Sequence, residues 1–90
     1  MNLDAGMDIA QIRNLARQMD QRANEIEGLL SQLTTQMREL PWAGDDRNRF
    51  VDDWEGRHAA GLRRVAEGLK HAAKDARDHA RNQEWASRAR

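Results

Sequence analysis

Apolar side chains recur at steps of three and four residues through the first half of the chain. The recurrence begins beside Asp8, a residue type that caps helix N-termini, and Gln11 completes a capping-box pattern. It stops before Pro41, which disfavours helical geometry at the preceding residue. Alternating steps of three and four are typical of a coiled-coil seam. The pattern predicts a helix over about residues 8–40 with the seam Ile9, Ile12, Ala16, Met19, Ala23, Ile26, Leu30, Leu33, Met37 and Leu40.

A second apolar stripe follows a predicted turn at residues 41–45, in which Asp45 is placed to cap the next helix. The stripe starts with aromatic and bulky residues and decays to alanine. It predicts a helix over about residues 46–84 and a flexible tail at 85–90. The stripe consists of Phe50, Val51, Trp54, His58, Leu62, Val65, Leu69, Ala72, Ala73, Ala76 and Ala80. Close approach of the two helices is expected at three glycines of this helix, Gly56, Gly61 and Gly68.

Two long helices joined by a short turn predict an all-α fold, a single antiparallel helical hairpin spanning residues 1–90. Leu15 and Leu29 lie beside the first seam and widen its apolar face. One helix packed on one other helix cannot bury both seams and these flanking residues. An exposed apolar strip usually marks an interface. We therefore expect the hairpin to dimerise into a four-helix bundle.

Composition supports a helical protein that works through a partner. Charged residues make up 33% of the chain and hydrophobic residues 39%, many of them alanine. Residues 1–45 carry seven acids and four arginines, a net charge of −3, and residues 46–90 carry eight acids and eleven bases, a net charge of +3. Halves of opposite charge suit antiparallel pairing or a charged partner. The sequence contains no cysteine and no apolar run long enough to span a membrane, and its first residues lack the basic and apolar regions of a conventional signal peptide, so we expect none.

Hypotheses of a metal site, of nucleic-acid binding or of catalysis have weaker support. His71, Asp75 and His79 are spaced to share one helix face and would bind zinc only with a further ligand, so we expect an ordinary solvated face and no metal. The basic residues of the second helix are interleaved with acids, which disfavours nucleic-acid binding. No nucleophile motif or phosphate-binding glycine loop is present, so we expect neither catalytic residues nor a cofactor.

The turn carries a recognisable motif. Trp42-Ala43-Gly44 lies between two predicted helices near the middle of a chain of 90 residues, and Phe50 and Trp54 follow it. In this arrangement the whole chain resembles the WXG (ESAT-like) family of type VII secretion substrates. The segments PWAGDDRNRFVDDW, LRRVAEGL and NQEWAS resemble actinobacterial members in particular.

The resemblance implies a small protein, secreted or associated with secretion, that acts by protein–protein interaction. Its partner would be a second copy, a WXG paralogue or a larger effector with a similar hairpin, and a secretion ATPase would recognise the complex. Trp42 and Gly44 would staple the corner or form part of that recognition surface. The protein would leave the cell without a signal peptide, or be cytoplasmic before export. Two alternatives remain, a cytosolic coiled-coil adaptor with no export role and a helical nucleic-acid-binding protein.

The C-terminal region departs from the family pattern. Family members with their own export signal show Tyr-x-x-x-Asp/Glu after the second helix, and this chain has no tyrosine. Trp85 lies near the expected place, but Ala89 replaces the acid. His71 and Asp75 match the opening of another family pattern that fails further on, at Asp78 and Asn82. The resemblance implies that these residues are a remnant of an export signal and that a partner supplies the functional signal.

Overall fold

The computed structural model describes residues 5–88, which form two long helical arms joined at a corner. The first arm is helix α1, Ala5–Glu39. The second arm is continuous and consists of helix α2, Asp46–Asp53, a π-helical turn, Trp54–Ala59, and helix α3, Ala60–Arg88. The arms pack side by side in a rod of 70 × 20 × 16 Å. No strand occurs between residues 5 and 88, which confirms the predicted all-α hairpin.

The helix ends differ from those that the sequence predicted. Helix α1 already includes Ala5, so Asp8 lies inside the helix and does not cap it. The second arm continues to Arg88, where the Nη2 atom of Arg88 lies 2.6 Å from Oε1 of Glu84. This pair, four residues apart, supports the last turn. The predicted tail is therefore helical as far as residue 88, and its last two residues lie outside the described part of the chain.

The core of the hairpin is a seam of small residues at every seventh position. In α1 the buried apolar residues are Ile9, Ala16, Ala23 and Leu30. In the second arm they are Val51, Ala59, Ala66, Ala73 and Ala80. A repeat of seven keeps one stripe of each helix facing the other helix, and alanine at that stripe brings the backbones close together. Over most of its length the hairpin therefore closes on alanine methyl groups, and Ile9, Leu30 and Val51 are the larger buried members of the seam.

The π-helical turn keeps the second arm in step with this seam. Val51 and Ala59 are eight residues apart, whereas the later buried alanines are seven apart. A π-helical turn accommodates one additional residue, so it absorbs this difference. Trp54, the first residue of the turn, donates a hydrogen bond from Nε1 to Oγ1 of Thr34 at 2.9 Å. The buried Thr34 hydroxyl in turn donates to the carbonyl oxygen of Leu30 at 2.8 Å.

Ion pairs along one side of the seam define the antiparallel register. Pairs of Arg13 with Glu84, Asp20 with Arg77, and Glu27 with Lys70 repeat every seven residues along each arm. Such exposed pairs contribute little to stability, so their main effect is to select one alignment of the arms.

The pair of Lys70 and Glu27 also gives a pH dependence. Its hydrogen bond raises the pKa of Lys70 above the ordinary value. The pair therefore stabilises the fold at pH values below the ordinary lysine pKa, and that stabilisation is lost as the pH rises through the raised pKa.

We expect Ala23→Leu to destabilise the hairpin by about 1–3 kcal/mol, because Ala23 is fully buried where the helices meet and a larger side chain would force them apart. Thermal and urea unfolding at one fixed protein concentration measures this change. Ala10→Leu is the matched control, since Ala10 is exposed on the same helix and its replacement should change stability by less than about 0.5 kcal/mol. Equal effects of the two variants would contradict a close-packed alanine seam.

Candidate protein-interaction surface

The seam divides the hairpin surface into two flanks. The ion pairs lie four residues after the buried positions of each helix, on what we call the charged flank. The side chains three residues after and one residue before the buried positions emerge on the opposite side, because successive residues of a helix are about 100° apart. Large apolar residues dominate that side. We call it the apolar flank and define it by Ile12, Leu15, Met19, Ile26, Leu29, Leu33, Leu62, Val65 and Leu69.

The apolar flank holds nine of the bulky apolar residues of the chain, and the hairpin leaves them accessible. Leu29 is 57% exposed, Val65 52% and Leu15 47%. Leu62 is 42% exposed, and the other residues of the flank are half-buried. No large side chain in the described part of the chain is completely buried. A soluble domain normally places such residues inside, so their shared exposure on one side indicates an unfilled contact surface.

The predicted seam therefore separates into two sets. In α1 the hairpin buries four members of the predicted seam: Ile9, Ala16, Ala23 and Leu30. Five other members are only half-buried: Ile12, Met19, Ile26, Leu33 and Met37. Leu62 and Val65 were predicted in the stripe of the second helix and lie on the outside instead. Ala59 and Ala66 are buried, although the pattern of large residues did not single them out. The seven-residue spacing of alanines from Ala59 to Ala80 is the signal that would have found them.

The expected close approach at the glycines of the second arm does not occur. A Cβ atom added at Gly56 or Gly68 would meet nothing within 4 Å, and at Gly61 it would meet only the guanidinium of Arg64 at 3.9 Å. These positions face away from the first arm. The two helices instead approach each other closely at the buried alanines of the second arm.

At the corner, Trp42 joins the two arms. Its ring stacks on Phe50 with centroids 5.1 Å apart and an angle of 29° between the planes. Its Nε1 atom donates a hydrogen bond of 2.5 Å to the carbonyl oxygen of Met37, in the last turn of α1, where carbonyls lack helical partners. Trp42 is half-buried, whereas Phe50 is 49% exposed. Trp42 thus links the two arms at the corner, and part of the aromatic surface of Trp42 and Phe50 remains accessible to solvent.

Gly44 gives the corner its direction. Its φ angle of +58° lies in the left-handed region, which a side chain disfavours, although a Cβ atom there would meet nothing within 4 Å. Asp45 follows as the N-cap of α2, and its carbonyl oxygen accepts a bond of 3.2 Å from the backbone N–H of Arg49. The Asp45 side chain makes no capping hydrogen bond, so Asp45 occupies the predicted N-cap position but does not cap the helix with its carboxylate.

The remaining predicted site residues form no compact chemical site. His71, Asp75 and His79 are exposed along α3, and Trp85 is 71% exposed further along the same helix. His58 is also exposed, with Nε2 3.5 Å from Oδ2 of Asp53. Among the residues that the structure describes, no group of three His, Cys, Asp or Glu side chains is arranged to hold a metal ion.

None of the described helices is both long and apolar enough to cross a membrane. No protein-family model matches the chain, and no curated protein or solved structure is significantly similar to it. The resemblance to the WXG family therefore stays a prediction that rests on the turn motif and its context.

We expect Gly44→Ala to destabilise the protein by about 1–2 kcal/mol, because alanine is strained at this positive φ angle. Gly68→Ala should instead stabilise it by about 0.5–1 kcal/mol, since Gly68 lies inside a helix and its Cβ would enter open space. Chemical unfolding of both variants at one protein concentration tests the opposite signs. A neutral or stabilising effect at residue 44 would argue against the left-handed turn.

We expect Trp42→Ala to cost about 1–3 kcal/mol, from the lost stacking on Phe50 and the lost hydrogen bond to Met37. Trp85→Ala is a matched control, because the exposed Trp85 should change stability by less than about 0.5 kcal/mol. Thermal unfolding followed by circular dichroism compares the two. An unchanged melting temperature for Trp42→Ala would exclude its role as a staple.

Proposed function

We propose that this protein acts by protein–protein interaction, with a second helical hairpin packed on its apolar flank to complete a four-helix bundle. The observation that carries the proposal is the division of apolar residues in the hairpin. Small residues fill the seam between its own arms, and the large residues lie together on one side. Burying one fully exposed leucine contributes about 1.5–3 kcal/mol, so covering several such residues favours association strongly.

The accessible surface of the chain supports the same proposal. It amounts to 6914 Å². A compact monomer of 10.4 kDa would expose about 5,400 Å². The excess of about 1,500 Å² per chain is within the area that each partner buries in a stable, permanent dimer. A flat, elongated surface also suits a hairpin of similar length better than a small ligand.

By resemblance to the WXG family, we further propose that the resulting bundle is exported by, or accompanies cargo to, a type VII-like secretion system. The partner hairpin is then a second copy, a paralogue or the N-terminal part of a larger effector. The accessible Trp42 and Phe50 rings at the corner leave a surface for a secretion ATPase. This role requires binding surfaces and no catalytic residues.

Light scattering on the purified chain tests the pairing. We expect the mass of two chains, and we expect Leu29→Glu to give one chain, because a carboxylate at this position would be buried in the interface. Ser31→Glu is the matched control: Ser31 is an exposed α1 residue outside the apolar flank, so the dimer mass should be kept. A well-ordered wild-type monomer would contradict self-pairing. A partly unfolded chain that is rescued by co-expression with a neighbouring small open reading frame would indicate a heterodimer.

Export needs a separate measurement. Culture supernatants blotted with and without the secretion ATPase should contain the protein only when the ATPase is present. Retention inside the cell in both strains, combined with a two-chain mass, would favour the cytosolic adaptor.

A further inference from the structure

Four arginines line one groove on the charged flank, near the end of the hairpin opposite the corner. Arg13 and Arg17 come from α1, and Arg77 and Arg81 come from α3. In each pair the residues are four apart and so share one helix face. The groove has a volume of about 210 Å³. We call it the arginine groove.

Two of these arginines are held in place by the hairpin itself. Arg13 pairs with Glu84 across the arms, and Arg77 pairs with Asp20. Because each of these pairs joins the two arms, the groove is assembled by the register of the hairpin. It does not exist in either helix alone.

The other two arginines keep most of their anion-binding capacity. Among the described residues, the hydrogen-bond partner of Arg17 is the neutral Oδ1 atom of Asn14 at 3.3 Å. Arg81 lies 3.7 Å from Oδ1 of Asp78, a carboxylate that accepts a shorter bond of 3.0 Å from Lys74. A guanidinium has five N–H donors, so Arg17 and Arg81 can each bind a further carboxylate.

Trp85 lies one helical turn beyond Arg81, on the same side of α3. It is 71% exposed, more than any other large hydrophobic residue in the described part of the chain. Tryptophan gains much from burial, so a nearly bare indole beside an open cationic groove indicates a surface that another molecule covers.

The arginine groove is independent of the proposed dimer interface. It lies on the charged flank, whereas the large leucines lie on the apolar flank, so it stays accessible when a second hairpin binds. The half of the hairpin that contains it is basic. Described residues 9–24 and 73–88, which lie opposite each other in the register of the ion pairs, carry seven bases and four acids, a net charge of +3. This charge attracts an acidic partner.

The composition of the site favours an acidic protein segment over other anions. Arginine and tryptophan are the residues most enriched at the centres of protein interfaces. A groove of about 210 Å³ has room for one or two carboxylate side chains.

We propose that the arginine groove and Trp85 form a docking site for an acidic segment of a protein partner. Arg17 and Arg81 bind its carboxylates, and an apolar side chain next to them packs on the Trp85 ring. The site is a second binding surface, used in addition to the pairing of hairpins.

Fluorescence anisotropy on the full chain tests this proposal. The probe is a fluorescein-labelled oligoglutamate peptide with one central leucine. We expect Arg17→Gln/Arg81→Gln to weaken its binding about tenfold or more, and Trp85→Ala to weaken it severalfold. The control Arg49→Gln/Arg64→Gln removes the same charge near the corner and should change the affinity less than about twofold.

Three results would overturn the proposal. They are absence of peptide binding, an equal loss in the corner control, and tighter binding of an oligothymidylate or of phosphatidylserine vesicles than of the peptide. Light scattering on Arg17→Gln/Arg81→Gln keeps the two proposals separate, because these changes lie off the apolar flank and should leave the mass of the assembly unchanged.

Discussion

The close approach of two helices along a seam of alanines is the constraint on which the rest of this structure depends. Ala16 and Ala23 in the first arm, and Ala66, Ala73 and Ala80 in the second, leave no space between the helices for a larger side chain. The bulky apolar residues therefore have to lie beside the seam. A hairpin closed in this way has a narrow core and leaves large apolar side chains such as Leu15, Leu29 and Val65 accessible.

The two sides of the seam then acquire different chemistry. Heptad-spaced ion pairs occupy one side, where they select the antiparallel register and assemble the arginine groove. Leucines, isoleucines and Val65 occupy the other side, which suits a second hairpin. The π-helical turn maintains this division near the corner, because without its additional residue Val51 would rotate off the seam. One register therefore supports both proposed surfaces.

Much of this arrangement was predictable from local signals. The steps of three and four predicted both helices, and Pro41 and Gly44 predicted where the chain turns. The two helices carry more large apolar residues than a single hairpin can bury, and this predicted that some apolar surface would stay exposed. Local signals were less informative at the helix ends, where Asp8 lies within α1 and residues 85–88 continue α3. Capping patterns are weak determinants in long helices that neighbouring packing and ion pairs extend.

The presence of two long helices, the position of the corner and the excess of apolar surface were determined by the sequence alone, because periodicity and backbone restrictions act within a few residues. The tertiary structure decided which of two adjacent stripes is buried. Steps of three and four predict burial equally for Ala16 and Met19. Only the packing of the two arms against each other shows that Ala16 is the buried residue. The tertiary structure also determined where the π-helical turn occurs, and it brought Arg13 and Arg17 of the first arm next to Arg77 and Arg81 of the second. Both depend on the distance and register between residues far apart in the chain.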